Sequence, residues 1–188
     1  MEVRSHYIFN KRTVLLTGEY DDDGLRCTRV IEGHQTFLVK LSPVDLINEN
    51  LLRLGSNFSG AVASSKFILG IKVMCPLQIN DAQDMWIFPT KSYKKTDCVW
   101  FFLNQIVNTR PLGVRETVVN LEFGHTYTIE MKESSFNNKR RKAEDLRGIM
   151  TKNAKGPLND DLEPKVRFEI SRVKGKRKCR IKQMKEEK

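Results

Sequence analysis

The sequence predicts an α+β protein, with a mostly antiparallel β-sheet body, two or three helices and a basic C-terminal extension. Three observations lead to this prediction. Short runs of β-branched and aromatic residues recur along the body with turn residues between them, which is typical of antiparallel strands. Two segments combine helix-capping residues with the apolar spacing of amphipathic helices. The whole net charge of +10 lies in the last 50 of the 188 residues.

Nine short segments of the body have the composition of β-strands. They span residues 7–9, 13–16, 26–31, 36–41, 77–79, 85–88, 99–103, 118–123 and 127–131. The run at 99–103 is apolar at every position, so both of its faces need cover, and we expect it to be a central strand. Pro89 should end the strand at 85–88, because proline cannot donate a hydrogen bond to a neighbouring strand.

The last two of these segments predict a β-hairpin around Gly124. A two-residue loop there would place the apolar residues of the two strands on opposite faces. A three-residue loop over 124–126 instead pairs Phe123 with Tyr127 and gives one apolar face. We therefore expect the longer loop, with the glycine adopting the unusual backbone angles.

The first predicted helix covers residues 43–54. Ser42 can cap its N-terminus, Pro43 suits the first turn, and Gly55 can end it. The apolar spacing predicts a buried stripe made of Leu46, Ile47, Leu51 and Leu54.

A second helix is predicted over 136–150, with Ser134 or Ser135 as its cap. Its expected buried face consists of Phe136, Ala143, Leu146 and Met150. The four basic residues at 139–142 span a full turn, so some of them must point outward. A third helix is predicted over 61–69, although two flanking glycines and the β-branched residues oppose it.

We expect two parts in the chain, a folded domain at 1–150 and a linker with a basic tail at 151–188 that is partly disordered. The linker is predicted by a polar stretch that lies between Gly156-Pro157 and Pro164. Alternating apolar residues at 166–170 predict one short strand. From Lys174 onward the apolar residues are too few to impose order.

Positive charge is concentrated near the end of the chain. Residues 1–138 contain 15 basic and 15 acidic residues, whereas residues 139–188 contain 18 basic and 8 acidic ones. A cationic end on a neutral body is typical of a surface that binds a polyanion. A solvated tail that only keeps the protein in solution is the simpler alternative.

The predicted nucleic-acid contacts form two groups. The first lies on the second helix, which can follow a groove or a phosphate backbone, and comprises Lys139, Arg140, Arg141, Lys142 and Arg147. The second lies in the tail, where a flexible arm can enter a narrow minor groove, and comprises Lys174, Lys176, Arg177, Lys178 and Arg180. A smaller basic loop carries Lys91, Lys94 and Lys95 around Tyr93.

An enzyme is the weaker interpretation of this sequence. A two-metal nuclease needs clustered carboxylates, and nothing in the spacing of the candidates requires them to gather; these are Asp81, Asp84, Glu122 and Glu130. Residues 21–24 (DDDG) suit a turn better than a cation site. Cys98 is expected to be a buried small hydrophobe rather than a nucleophile. We therefore expect no catalysis, no metal ion and no cofactor.

The expected location is the cytoplasm, without contact to a membrane. No apolar run reaches the roughly 20 residues that span a bilayer. The first residues carry Glu2 and Arg4 without a following apolar stretch, which argues against a secretory signal. The four cysteines, at 27, 75, 98 and 179, have the spacing of neither a zinc module nor a disulfide scaffold.

Several motifs follow one another along the body. They are residues 54–60 (LGSNFSG), 75–79 (CPLQI), 87–92 (IFPTKS) and 98–100 (CVW). The hairpin that ends at Gly124, and residues 134–137 (SSFN) with the helix after them, continue the pattern. In order and spacing, this set resembles the ComK family of competence transcription factors of Gram-positive bacteria, from about residue 7 to residue 150.

The resemblance implies a DNA-binding activator of the genes for DNA uptake and recombination. Family members recognise paired A/T-rich boxes in double-stranded DNA, largely through the minor groove, and act as dimers that assemble into a tetramer. They are also bound by the adaptor MecA and delivered to the protease ClpC-ClpP.

The leading hypothesis is therefore a sequence-selective, non-enzymatic DNA-binding regulator that associates with the nucleoid. The alternative is an interaction module whose tail binds RNA or another acidic surface without gene-specific recognition.

Overall fold

The computed structural model describes residues 2–21, 23–154, 156, 167–172 and 179–184. They belong to two compact units, Met1–Asn153 and Ala154–Lys188. Within the described residues, no helix combines the length and the apolarity needed to cross a membrane.

The first unit contains two sheets and three helices. Seven strands form the larger sheet: β1 (Val3–Arg4), β2 (Thr13–Tyr20), β3 (Arg26–Glu32), β4 (Gln35–Val39), β5 (Leu77–Asn80), β6 (Met85–Pro89) and β7 (Val99–Phe102). The smaller sheet consists of β8 (Ile106–Leu112), β9 (Glu116–Leu121) and β10 (Thr126–Ile129). The helices are α1 (Pro43–Leu52), α2 (Phe58–Leu69) and α3 (Glu133–Ala154).

The sheets confirm the predicted α+β class with mostly antiparallel pairing. The order in the larger sheet is β1-β4-β3-β2-β7-β6-β5, and in the smaller one β10-β9-β8. Among the described strands only β1 and β4 pair in parallel. The predicted central strand, β7, lies inside the larger sheet between β2 and β6, and all four of its residues are buried.

The larger sheet is the middle of three layers. Alternate residues of β7 enter different cores: Trp100 packs with the α1 side chains, whereas Phe101 packs with the smaller sheet and α3. The first core includes Leu46, Ile47 and Leu51 of α1, and the second includes Val119, Leu121, Ile129, Phe136, Ala143 and Leu146. Cover on both faces explains why β6 and β7 are apolar along their whole length.

The predicted hairpin has one apolar face, but its predicted register is wrong. Tyr127 pairs with Val119 instead of Phe123. The reason is that residues 122–124 form a short 3-10 turn in which Phe123 has φ 60° and Gly124 has φ 76°. The shift moves pairing partners by four residues, an even number, so each side chain keeps its predicted face.

Residues 7–9 are not a strand, contrary to the prediction. Tyr7 and Phe9 are buried in the first core, but a side chain of α1 replaces the neighbouring strand as hydrogen-bond partner. The Phe9 N–H donates to Asn50 Oδ1 at 2.8 Å, and Asn50 Nδ2 donates to the Tyr7 carbonyl at 3.0 Å. Such a partner on a helix leaves no signal in the strand pattern itself.

The helix predictions are confirmed in position and corrected at the ends. Ser42 caps α1 by accepting from the Asp45 N–H, as predicted. Leu54 is exposed rather than buried, because the chain turns away at Gly55, which has φ 75°. The Ser134 or Ser135 cap is wrong: α3 begins at Glu133, and the N–H groups of residues 135 and 136 donate to the Lys132 carbonyl.

The second unit contains an antiparallel pair, β11 (Arg167–Arg172) and β12 (Cys179–Met184), with Ile170 opposite Ile181. The strand predicted at 166–170 therefore corresponds to β11. The expectation of no order after Lys174 is wrong for β12, whose alternating Cys179 and Ile181 have a partner strand in β11. The predicted linker around Pro157 and Pro164 lies outside the described residues.

Candidate nucleic-acid interface

Lys139 is a half-buried cation on α3. Its Nζ lies 3.0 Å from Sδ of Met74, in the loop between α2 and β5. Burial lowers the pKa of Lys139, and the nearby positive charge of Lys142 lowers it further. The lysine is therefore held against the body of the protein at a cost in solvation.

The next three basic residues of α3 differ in whether a carboxylate neutralises them. Arg140 forms an ion pair with Glu144, with 3.1 Å between Nε and Oε1. Arg141 and Lys142 are exposed, and neither forms an ion pair with another described residue. The outward charge of this part of α3 is therefore carried by Arg141 and Lys142.

Arg147 is bound to a turn of the larger sheet. Its Nη2 lies 2.5 Å from Oδ2 of Asp84, and the Asn104 amide donates to the same oxygen at 2.9 Å. The Trp86 indole donates to the other carboxylate oxygen, Asp84 Oδ1, at 2.9 Å. This pairing joins α3 to the turn between β5 and β6. A phosphate group would have to compete with Asp84 for the Arg147 guanidinium.

A groove of about 280 Å³ lies close to the half-buried Lys139, and we call it the basic groove. Parts of α2, of the α2–β5 loop, of the β6–β7 loop and of β7 line it. Its lining residues are Val62, Lys66, Lys72, Val73, Met74, Cys75, Ser92, Tyr93, Lys94 and Trp100. Three of these are lysines and none is acidic.

Local geometry brings the two loops to the groove. Gly70 ends α2 in the left-handed conformation, with φ 64°, and the chain turns back through Lys72 towards β5. The β6–β7 loop is closed by an ion pair between Lys91 and Asp97 and by a hydrogen bond from the Lys95 N–H to the Ser92 carbonyl. Closure at its base leaves Lys94 exposed at the tip.

The charges of both helices act on the same point of the groove. Burial raises the pKa of the Cys75 thiol, while the positive charges of Lys66 on α2 and Lys142 on α3 lower it in part. Lys66 also lines the groove, and Lys142 follows Lys139 by three residues, so the two lysines of α3 lie on the same side of that helix. Neither Lys66 nor Lys142 forms an ion pair with a carboxylate among the described residues, and lysines of this kind attract phosphate oxygens.

The structure thus places part of the predicted site together. Lys139, Lys142 and Lys94 lie at or beside the basic groove, whereas Arg140 and Arg147 are paired with carboxylates. Arg180 is exposed on β12, as is Lys182. The remaining tail residues of the predicted site lie outside the described residues: Lys174, Lys176, Arg177 and Lys178.

Sequence reasoning missed Lys66 and Lys72. Each is an isolated lysine, so neither stands out as a charge run. A signal was nevertheless present: from residue 50 to residue 80 the sequence contains Arg53, Lys66 and Lys72 but no Asp or Glu. Arg53 pairs with Glu49, just before this segment, whereas Lys66 and Lys72 have no acidic residue close to them in the sequence.

The other candidate chemistries have a structural account. The Asp84 carboxylate is used by Trp86, Asn104 and Arg147, as described above. Cys98 is buried, and burial raises the pKa of its thiol, which disfavours the reactive thiolate. In the part of the chain that the structure describes, no three His, Cys, Asp or Glu side chains gather as metal ligands would.

Comparison with known proteins decides the family. A family model described as "ComK protein" matches residues 4–155. The chain belongs to the ComK family. It is also similar to the competence transcription factor of Bacillus subtilis (strain 168), with 24% identity over 132 residues, 70% of this chain and 68% of that protein. No solved structure matches it.

Membership of the ComK family confirms the resemblance predicted from the motifs. It also confirms a non-enzymatic regulator and supports a competence transcription factor. The basic groove lies within the matched residues of this ComK-family protein, whereas β11 and β12 lie beyond them.

Proposed function

We propose that this ComK-family protein is a sequence-selective, DNA-binding activator of the genes for DNA uptake, and that the basic groove contacts the phosphate backbone. One observation carries the proposal: lysines from α2, from two loops and from α3 converge on a groove lined, among the described residues, by no carboxylate. Phosphate contacts of this kind fix a protein on a duplex without reading its sequence.

The proposal assigns distinct tasks to the cationic elements. Lys66, Lys72 and Lys94 bind phosphates, while Arg141 and Lys142 extend the contact along α3. The basic tail, with Arg180, adds long-range attraction. Preference for A/T-rich boxes then comes from groove width and deformability as well as from base edges.

The remaining parts of the proposal concern organisation and partners. The residues 1–150 act as the DNA-binding domain and 151–188 as a linker and basic tail. The protein works in the cytoplasm at the nucleoid, as dimers or tetramers on DNA, and MecA with ClpC-ClpP controls its amount. Support for these parts comes from the family and from the charge distribution.

A salt titration tests the electrostatic contact. If about six phosphates are neutralised, affinity for a duplex should fall on the order of a thousandfold between 50 and 200 mM salt. Lys66→Gln and Lys142→Gln should each reduce the slope of log affinity against log salt by about one. Lys40→Gln is the matched control, because Lys40 is exposed but lies beside Cys27 rather than at the groove.

A competition experiment tests the selectivity. An A/T-box duplex, a scrambled duplex and a structured RNA compete for the protein at one salt concentration. The proposal requires clear preference for the A/T-box duplex. Equal competition by all three would favour the alternative, a module that binds acidic surfaces in general, and a flat salt titration would remove the electrostatic mechanism.

A further inference from the structure

Phe67 is exposed in a way that no other large apolar side chain of the described residues matches. It is 90% exposed, whereas Phe37, Phe101 and Phe136 are completely buried. A protein that leaves a whole aromatic ring in water loses the stabilisation that burial of the ring would give. A single exposed apolar residue needs no explanation by itself, so the surroundings of Phe67 decide what it means.

The ring stands on the outer crest of α2. Ala63 lies one turn before Phe67 and Gly60 lies two turns before it. Both residues are exposed, and neither has a bulky side chain. Lys66, its neighbour in the chain, lines the basic groove. A flat crest of this kind lets a large surface approach the helix closely, with Phe67 as the one projecting side chain.

The charge around the crest selects the class of partner. Residues 50–80 contain no acidic residue, and Lys66 and Lys72 flank Phe67 along the chain. Val73, beside Lys72 in the groove, is also 65% exposed. Among the described residues, neither Lys66 nor Lys72 forms an ion pair with a carboxylate. An exposed aromatic ring close in sequence to two such lysines complements nucleic acid, which presents phosphates outside and flat apolar bases inside.

We propose that Phe67 contacts the bases of the nucleic acid, by stacking or by wedging its ring between base steps, while Lys66 and Lys72 hold the adjacent phosphates. This inference rests on the proposed function and adds to it the residue that reaches the bases. Apolar side chains inserted between bases are an established means of binding, and aromatic stacking tolerates any base sequence. The small residues at Gly60 and Ala63 permit the close approach that insertion requires.

Affinity and its salt dependence together test the assignment. Phe67→Ala should weaken binding to an A/T-box duplex roughly ten- to hundredfold, because stacking on one base is lost. The salt slope should stay unchanged, since no phosphate contact is removed. Lys66→Gln should show the opposite pattern, with a lower slope. Val114→Ala is the control, because Val114 is 79% exposed on the turn between β8 and β9.

Fluorescence supplies a direct readout of stacking. Trp86 and Trp100 are each 1% exposed. Because Trp100 also lines the basic groove, the unsubstituted protein is titrated in parallel and any response of its own tryptophans is subtracted. In Phe67→Trp the added indole should emit as a solvent-exposed tryptophan, and the duplex should quench that emission. The same variant should retain most of the affinity, because an indole stacks as well as a phenyl ring.

The outcomes separate this inference from the proposed function. If Lys66→Gln weakens binding while Phe67→Ala and Phe67→Trp report no contact, the phosphate contact at the basic groove is supported and the assignment of Phe67 is wrong. If the wild type shows no salt-dependent binding, both fail. If Phe67→Ala leaves affinity unchanged but turns an oligomer into a monomer in sedimentation, the partner of the ring is a second copy of the chain, which overturns the inference.

Discussion

Asn50 should be one of the most destabilising polar positions to truncate. This side chain of α1 is 4% exposed and makes three hydrogen bonds. Its Oδ1 accepts from the Phe9 N–H at 2.8 Å, and its Nδ2 donates to the carbonyls of Tyr7 at 3.0 Å and Leu46 at 2.9 Å. Asn50→Ala removes all three bonds and leaves main-chain groups of residues 7 and 9 without this partner.

The magnitude follows from those contacts. A net hydrogen bond contributes about 1 kcal/mol, and a buried group left without a partner costs about 1–3 kcal/mol. We therefore expect Asn50→Ala to lower the free energy of unfolding by about 3 kcal/mol, a large share of the roughly 5–15 kcal/mol typical of a folded protein. Asn48→Ala should cost only about 1 kcal/mol, because Asn48 Oδ1 accepts a single bond, from the Phe58 N–H at 2.9 Å.

Urea unfolding followed by tryptophan fluorescence measures both losses, since Trp86 and Trp100 are buried in the native state. Hydrogen exchange at the Phe9 amide gives a local reading, because its protection should fall in Asn50→Ala and persist in Asn48→Ala. The reasoning is refuted if Asn50→Ala costs less than about 1 kcal/mol and the Phe9 amide stays protected.

Two further predictions concern titratable groups. The lowered pKa of Lys139 means that its positive charge opposes folding at neutral pH, and this cost decreases as the pH rises through that pKa. Lys139→Met should therefore raise the urea concentration at the unfolding midpoint at neutral pH, and raise it less near pH 10. The same substitution should weaken DNA binding. A loss of stability at neutral pH would contradict this sign. Burial raises the pKa of Tyr7 to about 12, so the neutral phenol stabilises the fold fully below about pH 10. Stability on the order of 1–3 kcal/mol is then lost as the pH rises from about 10 to about 12. Absorbance titration should show an ionisation near 12 that Tyr7→Phe removes, and an identical titration curve would refute it.

Local patterns predicted the helices and most strands because their signals are local. The capping of α1 by Ser42 and the fully apolar β7 follow from adjacent residues. The hairpin face was predictable and its register was not, since an even shift preserves alternation and the 3-10 turn at 122–124 depends on Phe123 adopting positive φ. Strand β8 was missed because most of its residues are exposed and it includes Pro111, so its sequence lacks the usual alternation.

The candidate site was predictable only where charge forms a run. Lys139 and Lys142 were identified because they lie in a basic cluster, whereas Lys66 and Lys72 join them through tertiary packing. The sequence also could not show which cations form ion pairs. Arg147 and Asp84 are 63 positions apart, and only the packing of α3 against the β5–β6 turn brings them together. Charge density therefore indicated the kind of partner, and the fold decides which cations remain available to it.

The layered arrangement sets an order for synthesis of the chain. All seven strands of the larger sheet precede residue 103, but the residues that cover its second face extend to Leu146. A nascent chain that has emerged only as far as residue 105 therefore holds the complete sheet with Trp86, Phe88 and Phe101 facing water. Until the last third of the body leaves the ribosome, this face is a natural target for chaperones and proteases, and fragments that end before α3 should aggregate.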